Sequence, residues 1–195
     1  MKLMLFLAVL AALGFFLVSL YNALVSARNA YRNAFAQIDV QLTRRHDLIP
    51  NLVETVKGYM KHERETLEAV VQARSQAVTG LTHAKREPGD MPGMQTLASA
   101  ENQLSQALGR LMVVSEAYPE LKANENMIQL TEELTSTENR VAFARQAYND
   151  AVMMYNNRCE TFPSVMIARR YGFTTAHPLE IENISMRAAP RVSLT

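Results

Sequence analysis

Cysteine occurs once, at Cys159, tryptophan is missing, and glycine and proline number 7 each in 195 residues. A lone thiol excludes an internal disulfide framework and fits either side of a bacterial-type membrane. Cys159 falls on a helical apolar register, which reads it as a small buried hydrophobe and not as a nucleophile. An excess of one charge is also lacking. The net charge is +1, and basic and acidic residues interleave along most of the chain, so no global field attracts nucleic acid. Catalytic spacings are equally sparse. His62-Glu63-Arg64-Glu65-Thr66 begins like a zinc-protease helix, but Thr66 stands where a second imidazole has to share the metal. Di-iron bundles need Glu three residues before His, whereas Thr43, Tyr59, Gly80 and Thr174 precede His46, His62, His83 and His177 at that spacing. There is no glycine-rich phosphate loop, dinucleotide fingerprint or nucleophile elbow. Catalysis, a cofactor and a nucleic-acid partner are therefore not expected.

What the chain does have is Ala, Leu, Glu, Gln, Arg and Met in plenty, a helical composition. It also has one long apolar run. Leu3 to Leu20 carries no charge and reaches about 27 Å as a helix, close to the roughly 30 Å of a bilayer's hydrocarbon core. Read as an anchor, it uses Leu3, Phe6, Leu10, Phe16 and Leu20, with Tyr21-Asn22 at the interface. The alternative is a signal peptide cut near Val25-Ser26-Ala27. The run exceeds the roughly 7–15 residues of a signal core, so retention is the expectation. Arg28 and Arg32 against Lys2 favour a cytoplasmic bundle by about one charge, which leaves the side of the membrane open.

Beyond the run, steps of three and four place Leu24, Tyr31, Phe35, Ile38 and Leu42 on one helical seam. At Pro50 two readings compete. Either the helix breaks, Asp47 caps a new one and that helix runs from Leu48 to about Val78, or one very long helix only kinks. The break is preferred because Pro50 disfavours helical geometry at Ile49 yet is tolerated in a first helical turn; the kinked reading gives three bundle helices, not four. Gly80, Pro88-Gly89-Asp90 and Pro92-Gly93 place a loop between Thr79 and Met94. A third helix is expected from about Gln95 to Tyr118. A fourth starts after Asn124 as N-cap, runs through Met127, Leu134, Val141, Tyr148, Val152, Tyr155 and Phe162, and ends at Pro163. Glu138 and Arg140 sit on a polar face of that helix, either solvated or part of an interhelical network.

The expected organisation is an anchor over 1–22, a helical bundle over 23–163 and a C-terminal apolar and basic segment with an extended tail over 164–195. Within that last segment Met166, Arg169, Arg170, Tyr171 and Phe173 suit a membrane surface, a partner subunit or docking back on the bundle. Arg44, Arg45 and Asp47 before Pro50 are a second candidate contact, beside a plain reading as junction caps and ion pairs. Asn183-Ile184-Ser185 has the form of a glycosylation acceptor, a weak three-residue pattern.

Three long stretches resemble the LemA family. They are Asp39-Val40-Gln41-Leu42-Thr43-Arg44-Arg45-His46-Asp47-Leu48-Ile49-Pro50-Asn51-Leu52, Glu116-Ala117-Tyr118-Pro119-Glu120-Leu121-Lys122-Ala123-Asn124-Glu125-Asn126, and Glu132-Glu133-Leu134-Thr135-Ser136-Thr137-Glu138-Asn139-Arg140. Phe162-Pro163-Ser164 and Pro190-Arg191-Val192-Ser193 extend the resemblance. It implies an all-α protein, an N-terminal transmembrane helix followed by an antiparallel up-and-down four-helix bundle, with no enzymatic activity and no cofactor. Some relatives carry a lipoprotein cysteine after the apolar run; Tyr21-Asn22 stands there instead, so lipid anchoring does not carry over. Ala168-Arg169-Arg170-Tyr171 replaces residues that tend to be apolar and aromatic in relatives. The leading expectation is a non-enzymatic, single-pass scaffold of the bacterial inner membrane, with the bilayer and further copies of itself as partners. The alternative is an accessory subunit that recruits or regulates a membrane protease or transporter.

Overall fold

The computed structural model describes residues 1–60 and 62–181. The expectations for Asn183-Ile184-Ser185 and Pro190-Arg191-Val192-Ser193 lie outside these residues. The chain forms α1 (Lys2–Lys57), α2 (Arg64–Arg86), α3 (Met91–Ser115), a single turn α4 (Pro119–Lys122), α5 (Glu125–Glu160) and α6 (Ser164–Tyr171). No strand occurs among the described residues. The outer part of α1 with α2, α3 and α5 makes the expected antiparallel four-helix bundle, in which α1 packs along α5 and α2 along α3. The pairing of α1 with α5 is antiparallel. Phe35 meets Tyr148 with ring centroids 5.7 Å apart, Tyr31 meets Tyr155 at 5.0 Å, and Arg158 donates to the Ala23 carbonyl at 3.2 Å.

The break expected at Pro50 does not occur. The helix is continuous for 56 residues, about 84 Å at about 1.5 Å per residue, and Asp47 caps nothing because it lies inside that helix. An interior proline supplies no N–H to the carbonyl four residues earlier, which here belongs to His46. Arg74 on α2 replaces that donor, its Nε lying 2.6 Å from the His46 oxygen. The helix is therefore repaired from outside. The chain reverses between Lys57 and Arg64 instead, which keeps the count at four long helices although the expected point of division was wrong.

The second expected boundary also moves. Helix α2 continues to Arg86, and the loop is confined to Glu87–Asp90, with Asp90 capping α3 by accepting from Gly93 N at 3.3 Å. Gly80 is no breaker. A Cβ at that position would lie 3.3 Å from Leu97 Cα, so the bare backbone lets α2 and α3 approach closely. Pro92 is tolerated in the first turn of α3, where its N–H would have had no partner. Helix α3 ends at Ser115 and α5 begins after Asn124, whose side chain accepts from Met127 N at 3.1 Å as expected. At the far end α5 stops at Glu160, and Phe162 is 79% exposed and lies outside the apolar seam.

Two apolar clusters fill the bundle. One is built around Leu24, Tyr31, Phe35, Ile38, Leu42, Leu97, Val141, Tyr148 and Tyr155. The other lies around Ile49, Leu52, Val56, Val70, Leu104, Leu111 and Leu134. Burying each large side chain contributes about 1.5–3 kcal/mol. Between the clusters the buried positions turn polar on three helices, at Arg45 and His46, Glu101 and Thr137.

Candidate functional site

The polar layer is closed and fully occupied by its own members. Glu101, with no exposed surface, accepts from Arg45 Nη1 at 3.2 Å and bonds His46 Nε2 at 2.7 Å. Arg45 Nη2 donates to Ser105 Oγ at 2.9 Å, and Thr137 Oγ1 donates to the Glu133 carbonyl at 2.7 Å. Buried charge that has a partner on another helix penalises any other register, since a slip strands an ion in an apolar layer. This arrangement aligns helices; with side chains almost wholly withdrawn from solvent it offers no route to a reactant. Arg45 thus leaves the set of candidate contact residues, whereas Arg44 and Asp47 on the opposite side of α1 are exposed. Glu138 and Arg140 are exposed as well, so the solvated face and not the interhelical network describes them. Among the described residues no three His, Cys, Asp or Glu side chains gather as metal ligands would.

The C-terminal segment builds a second arrangement at the other end of the bundle. After Phe162-Pro163, which is joined by a cis peptide, α6 packs on both α1 and α5 through Ala168 and Ile167. Tyr21 packs edge-to-face with Tyr171 and with Phe173, with centroids 5.1 and 5.6 Å away, and the Arg28 guanidinium lies 5.0 Å from the centre of the Phe173 ring. Of the residues nominated from sequence here, Phe173 is partly covered, while Met166, Arg169, Arg170 and Tyr171 remain exposed. Docking back on the bundle therefore describes one face of α6 and leaves the other free.

From Phe173 to Ile181 the chain runs extended along α5 as a strap. Asn156 and Asn149, seven residues apart, each use the side-chain amide as if it were a strand neighbour. Asn156 donates to the Ala176 carbonyl and accepts from its N–H, both at 2.8 Å; Asn149 does the same with Leu179 at 3.2 and 2.9 Å. Tyr155 and Tyr148 precede them and donate their hydroxyls to the Thr174 and His177 carbonyls, both at 2.8 Å. Arg145 donates to the Ile181 carbonyl. Burial pushes both phenols well above the ordinary tyrosine range, with Tyr31 adding to the effect, which keeps them protonated as the donors this geometry needs. Gly89, at φ +93°, lies beneath the strap; its carbonyl accepts from His177 N at 2.9 Å, and a Cβ there would come within 2.8 Å of the Ala176 Cβ. Cys159 is buried, and its thiol is raised first by that burial, so it is a poor nucleophile as read from sequence.

One helix among the described residues is long and apolar enough to cross a membrane. It is α1, whose most apolar window has mean hydropathy 2.8 with none of it buried inside the protein, consistent with a membrane-anchored chain. The LemA family matches residues 34–194. The chain is 24% identical over 168 residues to Protein LemA of Metamycoplasma hominis, covering 85% of this chain and 72% of that one. It is 26% identical over 171 residues to Magnetosome protein MamQ 2 of Paramagnetospirillum magneticum, covering 80% and 63%. Magnetosome protein MamQ of Magnetospirillum gryphiswaldense is 24% identical over 189 residues, covering 88% and 70%. The chain thus spans less than two thirds of the MamQ 2 length, and none of these names denotes an enzyme. With an apolar leading helix, a four-helix bundle and a family match reaching over most of its length, the chain belongs to the LemA family.

Proposed function

We propose that this chain is a non-enzymatic, single-pass scaffold of the bacterial inner membrane that assembles laterally with copies of itself. The observation that carries the reading is the unbroken helix from Lys2 to Lys57. A helix that leaves the bilayer and becomes a wall of the bundle has no linker to absorb rotation, so each bundle is held at a fixed height and tilt relative to the lipid. Identical rigid units confined to a plane meet in the same orientation each time, which favours repeated lateral contacts. A core closed by its own ion pairs, in a chain without catalytic spacings, agrees with a structural role. So do relatives named as magnetosome proteins. Exposed Arg44 and Asp47, of opposite charge on one helix face, are the candidate points of contact between copies.

Native mass measurement of the full chain in mild detergent tests the proposal. Multimers support it, and monomers alone at every concentration contradict it. Crosslinking in cells from a photoreactive residue at position 44 separates the scaffold from an accessory subunit: adducts to a second copy are expected, and adducts only to an unrelated membrane protein overturn self-assembly.

A further inference from the structure

From the placement of α6 we propose that this helix is a second membrane contact, a foot lying in the interface of the bilayer that α1 spans, and that it favours anionic lipid. Such a contact rests on the reading of α1 as a retained membrane helix. Arg158 reaches the Ala23 carbonyl, and α5 continues only to Glu160, so the turn at Thr161–Pro163 sits where the apolar run ends. The opposite end of α6 is at that height too, because Tyr171 packs on Tyr21. With both of its ends level with Tyr21, α6 lies across α1 and parallel to the bilayer plane.

Its chemistry fits that position. Ala168 and Ile167 face the bundle. The outward stripe of α6 is Met166, Arg169 and Arg170, at the i, i+3 and i+4 spacing of one helix face, with Met166 64% exposed, and Phe162, 79% exposed, lies in the turn that leads into it. In water these would be two large apolar side chains without cover. In an interface the apolar pair enters about 5–10 Å to the acyl boundary, while the guanidiniums remain among lipid phosphates. Tyr171, 62% exposed and beside Tyr21, has the apolar body and polar tip enriched at that depth. Lipid is the favoured occupant over a second protein because the stripe adjoins the transmembrane run and shares its height.

The chain has no tryptophan, so a single introduced one reports its own depth. The full chain carrying Phe162→Trp is reconstituted into phosphatidylcholine–phosphatidylglycerol vesicles containing lipid brominated near the top of the acyl chains. Loss of roughly half its emission is expected at interfacial depth. Phe143→Trp, exposed on α5 and about 26 Å by helix rise from the end of α5 at Glu160, is expected to lose none. Phe16→Trp reports the anchor itself. If Trp at 16 is quenched and Trp at 162 is not, the foot is refuted while the anchor stands; if neither is quenched, both readings fail. A blue-shifted but unquenched emission at 162 assigns the stripe to a protein contact and also refutes the foot. Equal quenching at 162 with and without phosphatidylglycerol overturns the preference for anionic lipid. Met166→Trp repeats the test should Phe162→Trp fail to fold.

Discussion

The repair at Pro50 yields a quantitative test of how this helix survives. Arg74→Ala removes the side-chain donor that serves the His46 carbonyl, for which Pro50 has no backbone N–H to offer. Leaving a buried carbonyl without a partner costs about 1–3 kcal/mol, and because Arg74 is half-buried we expect the lower end, about 1–1.5 kcal/mol. Pro50→Ala restores the backbone N–H and removes an interior proline that costs about 3 kcal/mol in an isolated helix, so on its own it stabilises. In the Pro50→Ala background Arg74→Ala then leaves nothing unpaired and is expected to cost less than about 0.5 kcal/mol. The difference between the two costs, about 1 kcal/mol, is a coupling between residues on separate helices. Urea unfolding of the four full-length proteins in one detergent, followed by helicity, measures it. Equal cost of Arg74→Ala in both backgrounds would refute the repair.

Glu101→Leu leaves the Arg45 guanidinium buried without its carboxylate and is expected to destabilise by about 3–5 kcal/mol in the same assay; a cost below about 1 kcal/mol contradicts the polar layer as described. Since burial raises the Tyr148 and Tyr155 phenols above their unfolded value of about 10, their contribution is complete below that pH and lost as pH rises beyond it. Stability is therefore expected to fall above about pH 10, and Tyr148→Phe/Tyr155→Phe is expected to flatten that slope. Asn149→Ala/Asn156→Ala removes four hydrogen bonds to the strap and should expose residues 174–181 to limited proteolysis at a concentration the parent resists. Cys159 is expected to react with maleimide only on unfolding, and reaction in the folded protein within minutes counts against its burial.

Periodicity carried most of the fold into view. Leu24, Tyr31, Phe35, Ile38 and Leu42 are buried on one seam as the three-four spacing requires, and Asn124 caps α5 because a cap is written in adjacent residues. Features that depend on another helix are not legible in adjacent residues. Pro50 breaks a helix unless something else satisfies His46, and the residue that does so is 28 positions away. Gly80 counts as a breaker until α3 is seen to need its missing side chain. The three-four apolar spacing passes through Pro50 almost in phase, and that is the signal in the sequence that the helix continues. Arg45 stands out in the sequence by its place near the proline, whereas its partner Glu101 is a single carboxylate on an otherwise apolar face of α3, 56 residues away. The strap was hidden for a related reason. Its signal is the pair Tyr148-Asn149 and Tyr155-Asn156 at heptad spacing, where an Asn beside each buried Tyr marks side-chain amides available to an extended chain.

Hydrogen exchange of the full chain in lipid bilayers, resolved over residues 15–35, tests the joint between anchor and bundle most directly. A retained helix that passes straight into the bundle gives slow exchange throughout this stretch, with no fast-exchanging residues between Leu20 and Tyr31. Rapid exchange around Asn22–Ala27, or a membrane-free protein whose first peptide begins near Arg28, would contradict it.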